Sequence, residues 1–116
     1  MVKRRHPFFV ALLCLAVLVL AAPASAQTVL GRVAGSVLDA SGAVLPGATI
    51  TLTNVATNQV STTVSSDTGA FVFPQVPAGT YKAVIELQGF KTATYTQVIV
   101  NVGTEYSLTA RLELGQ

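Results

Sequence analysis

From Val33 almost to the C-terminus, apolar and polar side chains alternate, and Gly, Pro, Asn or Asp interrupt the alternation every few residues. A period of two puts successive side chains on opposite faces of an extended chain, so each apolar set belongs to one face of a strand. No stretch in this region spaces its apolar residues by three and four, which leaves no helix to expect there. Short alternating runs separated by turn residues point to an antiparallel all-β sandwich or small barrel. The sandwich is the better fit, because several runs have one apolar face and one threonine-rich face.

Seven runs can be read in order. Residues 32–38 form the first and end in Asp39-Ala40-Ser41-Gly42, a turn-forming cluster. Residues 48–53 come after a corner at Leu45-Pro46-Gly47, with Ala48, Ile50 and Leu52 inward and three threonines outward. Residues 59–65 carry little apolar beyond Val60 and Val64, which suits an edge strand. Residues 67–81 read as a turn, a strand with Phe71 and Phe73 on one face, a proline-punctuated corner at 74–77 fixed by Pro77, and a glycine turn at Gly79. Residues 81–88 turn Tyr81, Ala83, Ile85 and Leu87 inward. Residues 92–102 turn Val98, Val100 and Val102 inward, and residues 106–114 do the same with Tyr106, Leu108, Ala110, Leu112 and Leu114.

The N-terminus has a different character. A basic segment with Lys3, Arg4 and Arg5 precedes Phe8–Ala22, a 15-residue apolar run, then Pro23 and the small residues Ala24-Ser25-Ala26. This is the layout of a secretory signal peptide cleaved after Ala26. The run is shorter than the ~20 residues a spanning helix needs. Pro7 disfavours a twin-arginine signal after Arg4-Arg5, so the general secretory route is expected. Cys14 comes after bulky Leu13 inside the apolar run, and lipidation there is not expected. The domain plan is therefore a signal peptide at 1–26, a short lead-in at 27–31 and one β-sandwich domain at 32–116.

That plan changes the composition. The whole chain carries seven Lys and Arg against five Asp and Glu. The mature part keeps Arg32, Lys82, Lys91 and Arg111 against Asp39, Asp67, Glu86, Glu105 and Glu113, a net charge of −1. Basicity thus belongs to targeting, and nucleic-acid binding, which needs a clustered cationic face, is not expected. The only Cys and the only His, Cys14 and His6, leave with the signal. No imidazole base, thiolate or disulfide remains, nor either of the ligands that dominate zinc sites. No membrane span is expected in the mature chain.

Several pieces then fall into one ordered pattern: Gly35-Ser36-Val37-Leu38-Asp39, Gly42, Leu45-Pro46-Gly47-Ala48-Thr49-Ile50, Asp67-Thr68-Gly69-Ala70-Phe71-Val72-Phe73, Val76-Pro77-Ala78-Gly79-Thr80-Tyr81 and Gly89-Phe90. The set resembles the carboxypeptidase regulatory-like domain, a transthyretin-like (prealbumin-like) β-sandwich of seven strands. The resemblance implies a Greek-key scaffold and an accessory role rather than catalytic residues. In that family the module comes after the catalytic domain of some metallocarboxypeptidases and before the plug and barrel of many TonB-dependent outer-membrane receptors. A signal peptide joined directly to the domain is similar to the start of such receptors, and the ending at 111–116 resembles the passage to the plug. Neither plug nor barrel strands are present, so transport is not expected of this chain.

Candidate sites are few, and no catalytic, cofactor-binding or metal-binding residue is assigned. Asp39 and Asp67 could share a calcium ion if adjacent, although both sit in turn motifs that carboxylates cap. A carboxylate pair for glycoside hydrolysis lacks a pocket-forming insertion. Tyr95 and Phe90 could stack on a sugar, with Tyr95 facing away from Val98 and Val100 if no bulge intervenes. An internal isopeptide crosslink needs a buried lysine, whereas Lys82 alternates outward and Lys91 opens a strand. The sequence-based expectation is a non-catalytic exported module for protein interaction or spacing, periplasmic, outer-membrane-associated or secreted. Its partner is an unidentified envelope protein; a carbohydrate-binding module with a polysaccharide ligand is the alternative.

Overall fold

The computed structural model describes residues 6–20 and 29–115. The expected cleavage positions 24–26 and the start of the lead-in lie outside the described residues. Within the basic-then-apolar N-terminus, α1 spans His6–Leu20. No described helix is long and apolar enough to cross a membrane.

The domain is built of seven strands: β1 (Leu30–Asp39), β2 (Thr49–Asn54), β3 (Val60–Val64), β4 (Ala70–Pro77), β5 (Gly79–Glu86), β6 (Ala93–Val100) and β7 (Glu105–Leu112). They form two sheets, ordered β4-β1-β7 and β3-β2-β5-β6. The inward sets close one core, with Val33 and Val37 of β1, Ile50 and Leu52 of β2, Ile85 of β5, Val98 of β6 and Leu112 of β7 at its centre. Apolar burial on this scale is the main force joining the sheets.

One expectation of the sandwich is corrected: it is not wholly antiparallel. β1 and β7 run parallel, from Arg32 beside Glu105 to Asp39 beside Leu112. The chain reverses at every connection, so in a run of seven strands the first and last point the same way. Placed side by side, they can only pair in parallel. Short turns reveal reversals between sequence neighbours, and this pairing is between the two strands most distant in sequence.

The proline-punctuated corner expected over 74–77 lies at its far end, beside Pro77. β4 runs through Pro74, and the register against β1 slips between Gly31–Val76 and Val33–Phe73. Pro74 and Gln75 form a bulge, which tolerates a missing ladder donor. The chain changes sheets farther on, at Ala78, where the Tyr81 hydroxyl donates to the Pro77 carbonyl oxygen at 2.6 Å. Two residues expected inside lie elsewhere, Val102 in the turn after β6 and Leu114 beyond β7, both exposed, while Tyr106 keeps the inward face of β7 and packs half-buried against the core. Val102 and Leu114 each sit past a strand end, where alternation no longer reports on the core.

Candidate functional site

At the end of the sandwich where β1 and β7 stop, three loops meet. Asp39 closes β1: its Oδ1 accepts from the Ser41 hydroxyl at 2.6 Å and from the Ser41 and Ala43 N–H groups, each at 2.9 Å. The hydroxyl bond of Ser41 and the N–H of Ala43 hold the Asp39 carboxyl below the usual carboxylate range. Asp39 is thus an ionised turn cap with one oxygen saturated by donors.

Phe90 reaches the same end from the β5–β6 connection. Gly89 takes a φ of 91° there, which lets the Phe90 N–H close a turn on the Leu87 carbonyl at 3.0 Å. Beyond β7 the chain seals onto this loop, with Lys91 N–H donating to Glu113 O at 2.8 Å and Gly115 N–H to Gly89 O at 2.9 Å. A cleft of about 350 Å³ results, with Phe90, Leu112 and Leu114 as its apolar wall and Asp39, Ser41 and Glu113 at its polar rim. Lys91 Nζ lies 3.9 Å from Glu113, both side chains well exposed.

The cleft brings together Asp39 and Phe90, two of the residues singled out in the sequence. Asp67 does not line it. That residue sits exposed in the turn closed by Gly69 N–H on Ser66 O at 2.8 Å. Tyr95 is also elsewhere, because the bulge raised as a condition does exist. Opposite β5 the register jumps from Tyr81–Val98 to Ala83–Tyr95, and Gln97 adopts a φ of 58°. The extra residue turns Tyr95 to the same side as Val98, half-buried against the core, with its hydroxyl accepting from Arg111 N–H at 3.3 Å. Lys82 and Lys91 are exposed. Glu113 and Leu112 were missed as cleft residues, since only the parallel β1–β7 pairing brings them beside Asp39, whereas Ser41 lies in the turn of Asp39 itself.

What the cleft offers is an aromatic face flanked by carboxylates, with no base poised against a nucleophile. The geometry defines a small β-sandwich module whose polar groups mostly serve its turns. Within that class the chain belongs to the carboxypeptidase regulatory-like domain family, whose model matches residues 32–113. No curated protein matches the chain in sequence. Among solved structures it is similar to a Bacteroides uniformis protein assigned to carbohydrate binding, at 21% identity and a TM-score of 0.59 over 70% of this chain and 40% of that one. It is also similar to the group B streptococcus pilus 2b backbone protein, at 18% identity and a TM-score of 0.56 over 74% and 42%. Hydroxyquinol 1,2-dioxygenase from Pseudomonas putida shares the fold at 11% identity and a TM-score of 0.61 over 79% and 59%. The chain thus spans less than two thirds of each of these proteins.

Proposed function

We propose that this chain is a non-catalytic, exported module of the cell envelope that acts in protein interaction or as a spacer, akin to the N-terminal domain of a TonB-dependent receptor. The observation that carries this reading is the parallel pairing of β1 and β7. Entry and exit of the domain lie at opposite ends of the sandwich, separated by a strand length of about 27 Å for the eight residues of β7. A module threaded in line in this way holds its N-terminus at one end of the sandwich and the chain beyond β7 at the other. A hairpin-like domain, with both ends together, does not.

Export by the general secretory route rests on the basic segment, the apolar α1 and the small residues at 24–26. The absence of catalysis rests on the family and on the folding use of Asp39 and Tyr95. At 11% identity the dioxygenase likeness concerns the fold alone.

To test it, the full chain is expressed in a Gram-negative host and fractionated, then cross-linked in intact envelopes of its native cells. The expected result is a periplasmic or outer-membrane-associated product beginning at Gln27, with an adduct to an envelope protein. An uncleaved chain kept in the cytoplasm, or envelopes in which no adduct forms, overturns the proposal.

The cleft favours one second reading, a carbohydrate-binding module, because an aromatic face beside carboxylates suits a polyhydroxylated ligand. On this reading Phe90→Ala weakens retention on an immobilised polysaccharide by about tenfold, the scale of one lost aromatic contact. Flat titrations of the unmodified protein against polysaccharides end it.

A further inference from the structure

The two sheets leave four edges, and three of them are blunted. β4 carries Pro74, Pro77 and a bulge. β6 carries the bulge around Gln97. β7 carries Glu105 and Arg111, and its Arg111 N–H is already given to the Tyr95 hydroxyl. β3 is different: Val60-Ser61-Thr62-Thr63-Val64 has no charge, proline or glycine, and both valines are 56% exposed. Natural edges seldom go unprotected unless something pairs with them.

The hydrogen-bond pattern shows which groups of β3 are free. Asn54 N–H donates to Gln59 O, and Ser65 N–H donates to Ala48 O, in an antiparallel register that sets Thr51 beside Thr62. Antiparallel pairs alternate between bonded and non-bonded positions. Counting inward from those two bonds, Ser61 and Thr63 spend their backbone groups on β2. Val60, Thr62 and Val64 turn theirs outward, to the open edge.

We infer that β3 is a self-association edge, pairing antiparallel with β3 of a second copy about a two-fold axis through Thr62. The strand is nearly a palindrome, valine at each end, serine and threonine next, threonine at the centre. A two-fold axis at Thr62 sets Val60 opposite Val64 of the second copy and Thr62 opposite its counterpart. These are the three residues with outward backbone groups, so every pair is a bonded one, giving about six new main-chain hydrogen bonds. The exposed valines meet on the outer face, where β-branched cross-strand pairs are favourable. A two-fold contact needs a self-complementary surface, and this strand is one. The four-stranded sheet becomes a continuous eight-stranded one across two molecules.

The full chain with Cys14→Ser serves as the parent for the test, read by sedimentation equilibrium and by disulfide trapping. Dimer is expected to be the main species at about 1 mM. Thr62→Lys sets two like charges at the axis and is expected to return the protein to monomer with an unchanged melting curve, because Thr62 points away from the core. Thr62→Cys is expected to form a disulfide-linked dimer, since bonded pairs lie about 5.5 Å apart between Cα atoms, within disulfide reach. Thr109→Cys, exposed on the other sheet, is the control and is expected to stay largely unlinked. Monomer at about 1 mM, dimer persisting in Thr62→Lys, or equal trapping at position 109 overturns the inference. Because the partner is another copy of this chain, any of these results leaves the in-line spacer reading standing.

Discussion

Gly35→Ala is expected to leave the domain unfolded or nearly so. A Cβ at this position overlaps the Leu108 carbonyl oxygen and lies 2.8 Å from its carbonyl carbon and 2.9 Å from the Phe71 ring. The first two are backbone atoms of β7, so no rotamer change relieves them. Gly35 sits in the middle of β1, paired with Phe71 on one side and Leu108 on the other. Because β1 is the central strand of its sheet, moving it away from β7 shifts β4 as well. Overlap of this kind belongs with the rare substitutions that cost more than ~4 kcal/mol. A domain of this size has about 5–15 kcal/mol in total. Circular dichroism and urea titration decide the matter: a variant with a cooperative transition near that of the parent shows that β1 and β7 do not approach as closely as described.

Gly35 also marks the limit of what the residues could tell. A glycine inside an alternating run signals close approach of another backbone, but alternation cannot say which. The inward sets Ile50, Leu52, Val98 and Val100 were legible because each strand has a solvated face and a buried one. The weak edge character of residues 59–65 was legible for the converse reason, since β3 has almost nothing to bury. The parallel β1–β7 ladder was not legible, being set by how the sheets stack and not by any local pattern. The bulges at Pro74–Gln75 and Gln97 escaped for a different reason: one extra residue breaks the period without an obligatory sequence mark. The second of them decided the fate of Tyr95. The cleft inherited the first of these blind spots, because Asp39 and Phe90 stood out as residue types while their meeting with Glu113 depends on the ladder.

Phe71→Ala should cost about 3–5 kcal/mol, the range for deleting a buried phenylalanine ring. Phe71 is 5% exposed and packs edge-to-face on Phe73, with ring centroids 6.3 Å apart and an interplanar angle of 72°. Such a contact adds to plain area burial. Urea unfolding is expected to show a lower midpoint with an unchanged slope, since the surface exposed on unfolding is almost the same. The ring lies over Gly35, so the two positions form a test of each other. Removing the ring takes away one of the contacts that exclude a side chain at position 35 and leaves the overlap with the Leu108 carbonyl in place. Gly35→Ala combined with Phe71→Ala is therefore expected to be less stable than Phe71→Ala alone by nearly the full cost of the alanine. A double variant as stable as Phe71→Ala would mean that the aromatic ring, not the backbone of β7, demands glycine in β1. β1 and β7 would then lie farther apart at this point than their described approach, in which the Leu108 carbonyl leaves no room for a Cβ at position 35.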